Sequence, residues 1–281
     1  MDQDSLRDRP IAVFDSGVGG LTVLHELLVS LPHEDFVYLG DTARFPYGER
    51  EAAQLQRFAT QIADVLLDRG AKLLVVACNS ATAAALEVLE GHVVARGEEL
   101  DIVGVVAPEA QLAVEATHNG RIGLLATPTT VASGAYERAV HVSDPHVELV
   151  AVACPDLAPI IQSGFPFDQR VVDTVRAYCE PLRAAGVDTV ILGCTHYPLV
   201  APMLQRALGR GVTLVSSGQA VALRVEHALA VRGRQSACEA EGGYRFLCTG
   251  DAEAFQTLGT RFLQMPLGAV TRVELPAAVA V

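Results

Sequence analysis

Cys78 and Cys194 stand 116 residues apart in matching surroundings, LLVVACNSATA and TVILGCTHYPL. Each closes an apolar run that reads as a buried parallel strand, and small polar residues suited to a helix start follow each. Arg69-Gly70-Ala71 leads into one run and Ala185-Gly186-Val187 into the other at the same offset. Two thiols carried by two related half-structures point to one cleft with a sulfur on each wall. A thiol has a reference pKa of about 8.5, near enough to neutrality to give or take a proton. Two of them facing one another suit a reaction served from both faces of one carbon.

Other chemistry-bearing residues gather around the same strand ends. Asp15-Ser16-Gly-Val-Gly-Gly-Leu21 follows an apolar run and opens a helix. Its glycines let the backbone approach a ligand, and the helix N-terminus offers free N–H groups to an anion. The spacing is neither the dinucleotide fingerprint nor a P-loop. Asp15 can orient or deprotonate an ammonium; capping the helix is the alternative reading. Tyr38-Leu-Gly-Asp-Thr42 and Pro46-Tyr47-Gly48 share one loop, which can close over a ligand with its backbone and a tyrosine hydroxyl or can simply turn the chain. Asn79 and Ser80 can bond a carboxylate. A cysteine at a helix N-terminus, as Cys78 would be, has its pKa drawn toward neutrality by the dipole. The plainer reading is a buried cysteine acting as a small hydrophobe. Thr195 and His196 follow the second cysteine, and His196 can protonate, orient, or raise the thiolate fraction of Cys194. A Cys-x-His metal site would need two more ligands, and no pattern supplies them, so no metal is expected. Cys154, Cys179, Cys238 and Cys248 lack the strand-end setting and read as structural.

The elements that must position these residues follow from alternating short apolar runs and helical patterns, the signature of βαβ units. The runs predict strands at 11–14, 36–39, 73–77, 102–106, 122–125, 147–152, 190–192, 212–215 and 246–248. Helices are predicted over 21–30, 49–69, 81–96, 108–117, 131–140, 155–162, 168–185, 198–208, 218–230 and 252–263. Ile11-Ala-Val-Phe-Asp-Ser16 resembles Ile122-Gly-Leu-Leu-Ala-Thr127, so the first strand of each half is repeated along with the cysteine strand. The expected fold class is α/β: two similar three-layer domains with mainly parallel sheets, pseudo-symmetric, with the site in the cleft between them. Residues 1–104 with 217–281 form the first domain in this reading and 105–216 the second.

Composition narrows the function classes. The chain has 281 residues, 50% of them hydrophobic, which is enough for one large core or two domains. A net charge of −12 without a lysine and arginine cluster argues against a nucleic-acid groove and against membrane-surface binding. No apolar stretch reaches the roughly 18 residues of a spanning helix, and the charged start MDQDSLRDRP does not read as a signal peptide. A cytoplasmic location with reduced thiols is expected. Lys72 is the only lysine among the 21 basic residues, and it sits at a strand entry. Schiff-base chemistry with pyridoxal phosphate or a carbonyl substrate needs a lysine in the site, so no cofactor is expected.

With these residues assembled, Asp15-Ser-Gly-Val-Gly-Gly-Leu21, Pro46-Tyr-Gly48, Ala77-Cys-Asn-Ser-Ala-Thr82 and Gly193-Cys-Thr-His-Tyr-Pro-Leu199 resemble the motifs of the glutamate racemases. The resemblance covers nearly the whole chain and extends to Thr249-Gly-Asp251. It implies a cofactor-independent two-base isomerase that supplies D-glutamate for bacterial peptidoglycan, and hence for cell-wall growth and cell shape. It also implies a two-domain protein, usually a homodimer. Residue by residue it places the catalytic thiols at Cys78 and Cys194. Cys78 would take the proton of the D-isomer and Cys194 that of the L-isomer, with Asp15 and His196 assisting. Substrate contacts fall on Asp15, Ser16, Pro46, Tyr47, Gly48, Asn79, Ser80, Thr127, Thr130, Thr195 and His196. Two departures stand out. Ser80 occupies a position that is usually Thr in the family. Gln162 occupies one that is usually Glu, where the carboxylate supports the histidine beside the second cysteine. Gln162 can accept from an imidazole N–H but brings no charge; Asp156, on the same segment, is a candidate to supply it.

Three other readings compete. The first is a racemase of the same superfamily acting on aspartate or another amino acid. The second is a two-lobed binding protein for acidic amino acids, which would not need two strand-end thiols. The third is a Cys–His hydrolase, which would leave one thiol idle.

Overall fold

The computed structural model describes residues 6–164 and 168–276. The start of the charged N-terminal stretch, residues 1–5, and the end of the segment assigned to the first domain, residues 277–281, lie outside the described residues. The chain begins β1 (Ile11–Asp15), α1 (Leu21–Ser30), β2 (Phe36–Gly40), α2 (Ala52–Leu67), β3 (Leu73–Val76), α3 (Asn79–Ala95) and β4 (Asp101–Gly104). It continues α4 (Val106–Ala116), β5 (Arg121–Ala126), α5 (Pro128–Ala132), α6 (Ala135–Ser143), β6 (Glu148–Ala153), α7 (Leu157–Gln162), α8 (Gln169–Ala185) and β7 (Thr189–Gly193). Then come α9 (Ala201–Leu208), β8 (Thr213–Val215), α10 (Ser217–Arg232), β9 (Tyr244–Cys248), α11 (Ala252–Leu263) and β10 (Val270–Arg272).

These strands form two parallel sheets, one of six strands in the order β10-β9-β2-β1-β3-β4 and one of four in the order β6-β5-β7-β8. The α/β reading stands. The repeat inferred from the cysteines appears as topology: β2-β1-β3-β4 in one sheet matches β6-β5-β7-β8 in the other. β1 is buried along its whole length, as a central strand covered on both faces must be. Ile11 and Val13 face a core completed by α1, α10 and α11, while Ala12 and Phe14 face α2 and α3. In the second sheet Ile122 and Leu124 pack on α4 and α6, and Leu125 joins the core containing Val175 and Leu182 of α8. That last core is continuous with the one on β1, so a single apolar cluster links both sheets. Among the described residues no helix is long and apolar enough to cross a membrane.

Several boundaries differ from the sequence reading for local reasons. The strand expected over 102–106 ends at Gly104, and Val106 already starts α4. The Thr82 hydroxyl accepts from Val105 N–H at 3.4 Å and donates to Val76 C=O at 2.9 Å, turning the chain there. The helix expected over 131–140 is two helices, divided at Gly134, whose φ of +64° is left-handed and free of strain only for glycine. The helix expected over 198–208 begins as a 3₁₀ turn, Tyr197–Val200, and becomes α-helical at Ala201. β10 was not predicted; it is a three-residue, half-exposed edge strand with no apolar period to reveal it.

Lys72 lies at the entry of β3, opposite the strand end that carries Cys78. Its ammonium pairs with Glu34 at 2.5 Å and donates to Arg7 C=O at 2.5 Å, with both side chains nearly fully buried. Removing one partner of a buried pair leaves the other charge uncompensated, so Lys72→Met should cost about 3–5 kcal/mol in chemical denaturation. A loss below about 1 kcal/mol would show that the pair is not what holds this edge.

Candidate active site

Parallel sheets present their ligand sites at the C-terminal strand ends, and here the two sheets bring those ends together. Asp15 ends β1, Cys78 caps α3 just after β3, Thr127 caps α5 just after β5, and Cys194 follows β7. One narrow cavity of about 30 Å³ is lined by Cys78 and Cys194 together with Ser16, Pro46, Tyr47, Gly48, Asn79, Ser80, Thr127, Thr195 and His196. Of the residues expected from the sequence, only Asp15 and Thr130 stand one layer behind it. Asp15 accepts from the Thr195 hydroxyl at 3.3 Å, and Thr130 shares hydroxyl hydrogen bonds with Thr127 at 2.9 Å and Ser80 at 3.2 Å. A groove of about 1130 Å³ between α3, α4, α6 and α10 is far larger but contains neither thiol; chemistry, not size, selects the smaller cavity.

Close backbone approach seals the site. A Cβ on Gly19 would overlap Thr195 Oγ1 and His196 Nδ1, so only glycine lets the first loop meet the second cysteine's loop. A Cβ on Gly48 would come within 2.8 Å of Thr127 Cβ. The Asp41–Gly48 loop is pinned from behind. Asp41 accepts from Tyr47 OH, from Thr249 Oγ1 at 2.7 Å and from Arg44 Nε at 2.5 Å. The Tyr47 hydroxyl, expected to be on offer to a ligand, is therefore committed to Asp41. Thr129 N–H donates to Gly48 C=O at 2.9 Å and ties the loop to α5.

Burial sets the protonation states. It pushes the Cys78 thiol up to about 12, with nearby Asp15 adding to the rise, against the opposing N–H of Ala81 and the Ser16 hydroxyl. The expected lowering by the α3 dipole is overturned because a fully enclosed thiolate loses more to desolvation than one helix end returns. Cys194 is likewise raised well above the usual thiol range by burial. The expected match of settings is also incomplete: Cys78 directly caps a long helix, whereas Cys194 precedes only the 3₁₀ turn. Burial raises Asp15 too, opposed by N–H donors from Gly20 and Gly17 and by the Thr195 hydroxyl.

His196 is pushed down to about 3 by burial and is neutral. Its ring lies between Phe45 and Phe262, at centroid distances of 5.5 and 5.2 Å. Gln162 Oε1 lies 2.8 Å from Nε2 and can only accept, so Nε2 carries the proton. Nδ1 is then a bare acceptor, 3.9 Å from Cys194 Sγ and 3.5 Å from Thr195 Oγ1. Asp156 does not supply the missing charge: it is exposed and accepts from Tyr178 OH at 2.7 Å. Of the cysteines read as structural, Cys154, Cys179 and Cys248 are buried and Cys238 is exposed.

The sequence reading missed Phe45, Glu49 and the prolines 128, 155 and 159 in the lining. It also missed Glu109 and Tyr136, which stand behind Asn79. The one available signal was an acid, Glu109, set among the apolar residues of 105–110.

Comparison with known proteins places this geometry. Residues 23–225 match the family described as Asp/Glu/Hydantoin racemase. A glutamate racemase of Beutenbergia cavernae is 44% identical over 268 residues, spanning 92% of this chain and 90% of that protein. A glutamate racemase isoform of Bacillus anthracis superposes with a TM-score of 0.90 at 35% identity, covering 97% of this chain and 100% of that one. The glutamate racemase of Francisella tularensis, solved in complex with D-glutamate, has a TM-score of 0.88 at 30% identity, covering 95% and 98%. Fold and site thus define an amino-acid racemase, an isomerase. Within that class the chain belongs to the glutamate racemase family.

A carboxylate at position 162 would stabilise the imidazolium, so Gln162→Glu should raise the His196 pKa by about one to three pH units, read by NMR titration. The sign for stability follows. Between about 6.5 and about 3 the unfolded histidine binds a proton that the buried one refuses, so the fold loses stability as pH falls through that window. Gln162→Glu should narrow the window, and an unchanged titration would contradict this account of the pair.

Proposed function

We propose that the protein interconverts L- and D-glutamate without a cofactor, one thiol removing the Cα proton from one face while the other delivers a proton to the opposite face. The observation that carries the reading is that Cys78 and Cys194 line one cavity from the strand ends of two different sheets. Each sheet is read as the core of one domain, residues 1–104 with 217–281 and residues 105–216, with the substrate between them. Glutamate as substrate is supported by the named activity of the relatives.

In this reading the Ser80, Thr127 and Thr130 hydroxyls and the start of α3 receive the α-carboxylate, and Asp15, Ser16 and Thr195 face the ammonium. The Pro46-Tyr47-Gly48 backbone meets the distal carboxylate. Among the described residues the lining holds no lysine or arginine, so the substrate's ammonium is the cation the site is built to receive. Its positive charge offsets Asp15 and stabilises a thiolate that burial alone disfavours. The Cys78 thiolate takes the Cα–H of the D-isomer as its proton, the electron pair delocalises into the α-carboxylate, and the Cys194 thiol protonates the other face. The reverse direction starts from the Cys194 thiolate, and neutral His196 Nδ1 is the hydrogen-bond acceptor beside the sulfur when it carries its proton. Each positioned acid or base is worth about 10²–10⁴ in rate, and exclusion of water strengthens the electrostatic stabilisation of the carbanion-like state. The family resemblance supports a cytoplasmic homodimer whose D-glutamate feeds peptidoglycan synthesis.

Cofactor-free protein in D₂O should place solvent deuterium at Cα of the product enantiomer from either L- or D-glutamate, and Cys78→Ala or Cys194→Ala should abolish racemisation. Incorporation from aspartate alone would move the substrate assignment. Normal racemisation by either alanine variant would rule out the two-thiol mechanism.

A further inference from the structure

Glu109 on α4 is fully buried, and no step above uses it. It does not line the cavity but touches a residue that does. Asn79 Nδ2 donates to Glu109 Oε2 at 3.1 Å and to Tyr136 OH at 2.7 Å, and Tyr136 OH in turn donates to the same Glu109 oxygen. Both amide hydrogens of Asn79 are therefore committed to groups behind the cavity wall. Among the described residues its carbonyl oxygen Oδ1 is buried without a partner, on a residue that is only 3% exposed and lines the cavity. A buried, unpartnered acceptor beside Cys78 implies a donor on the ligand, since leaving it unpaired is costly.

An asparagine amide can be turned over with little change of shape, so something must decide which end faces the ligand. We propose that Glu109 is a positioning residue that locks the Asn79 amide with its oxygen toward the substrate, making Asn79 an acceptor for the α-ammonium instead of a donor to a carboxylate. This rests on the racemase reading and deepens it. Ser80, Thr127 and Thr130 are left as the side-chain donors for the α-carboxylate, and Asn79 joins Asp15 on the ammonium side. Burial pushes the Glu109 carboxyl up to about 8, against the two hydrogen bonds. The lock holds on either side of that value: Oε2 accepts as a carboxylate oxygen or as the carbonyl of the acid, with the proton on Oε1, which has no partner among the described residues. The contact also crosses between the sheets, because Asn79 follows β3 whereas Tyr136 lies on α6, packed on the second sheet.

The test compares D-glutamate with glutarate, the same diacid without the ammonium, by titration calorimetry on wild-type protein, Glu109→Leu and Glu109→Gln. Wild type should prefer D-glutamate. Leucine removes the accepting oxygen and frees the amide to turn its N–H toward the cavity. It should cut that preference roughly tenfold or more while leaving glutarate affinity within about threefold. Glutamine keeps an accepting oxygen without the charge and should hold the preference within about threefold. A folded Glu109→Leu protein with wild-type preference would overturn the assignment, as would a glutamine variant that loses as much as leucine. Should the leucine variant fail to fold, the glutamine variant decides: retained preference upholds an accepting oxygen as the requirement, and a tenfold loss overturns it. A wild type that exchanges Cα–H while Glu109→Leu keeps its preference fails only the Glu109 assignment; a wild type that binds neither diacid fails the racemase reading with it.

Discussion

Exclusion of water where the two sheet edges meet is the constraint on which the rest of this structure depends. Gly19 lets the first loop press against Thr195 and His196, Gly48 lets the second loop press against Thr127, and the polar groups between them are shut in. Burial then governs the two thiols, Asp15 and His196. It raises both thiols and Asp15 and lowers His196, so the groups sit in their neutral forms or are driven toward them. A site so arranged is electrically incomplete until a ligand brings charge, and in the proposed reaction zwitterionic glutamate brings an ammonium to the side where Asp15 lies. The same dryness that holds the thiols protonated makes each fixed dipole strong once the reaction begins.

The two halves repeat a topology but not an electrostatic environment. Cys78 caps α3 with Asp15 nearby, while Cys194 has no long helix behind it and instead faces the bare nitrogen of a neutral histidine. Gln162 selects that tautomer by accepting from Nε2. A hydrogen-bonding partner without charge fixes the ring's orientation and leaves its basicity to burial. The second thiol is therefore set against a neutral acceptor and the first against a helix end, while Asp15 disfavours the thiolate of both.

Much of this was legible in the sequence because parallel strands buried on both faces read as unbroken apolar runs. β1, β3 and β7 each end at a chemistry-bearing residue within a residue or two of the expected place. The strand-end cysteines and their polar neighbours consequently fell on one cavity. What was not legible depends on three-dimensional enclosure. The α3 dipole suggested a lowered Cys78 pKa, but the amount of protein around the sulfur decides its sign. Tyr47 presents a hydroxyl in sequence, yet Asp41, itself held by Thr249 and Arg44, claims it. Glu109 looked like one polar residue on a helix, and only packing against α3 and α6 shows that it holds Asn79. Gly134 and the three-residue β10 illustrate the local limit, where one left-handed glycine or one short edge outweighs periodicity.

The most direct measurement of the central claim is thiolate absorbance near 240 nm as a function of pH, taken as a difference between the wild-type protein and its Cys78→Ala variant. The account predicts that the Cys78 signal is absent at neutral pH and titrates far above the usual thiol range, toward about 12, in the protein alone. Bound D-glutamate should move it downward, and glutarate, which lacks the ammonium, should not. A Cys78 thiolate already present at neutral pH without ligand would contradict the claim that burial holds the thiol protonated until the substrate's charge arrives.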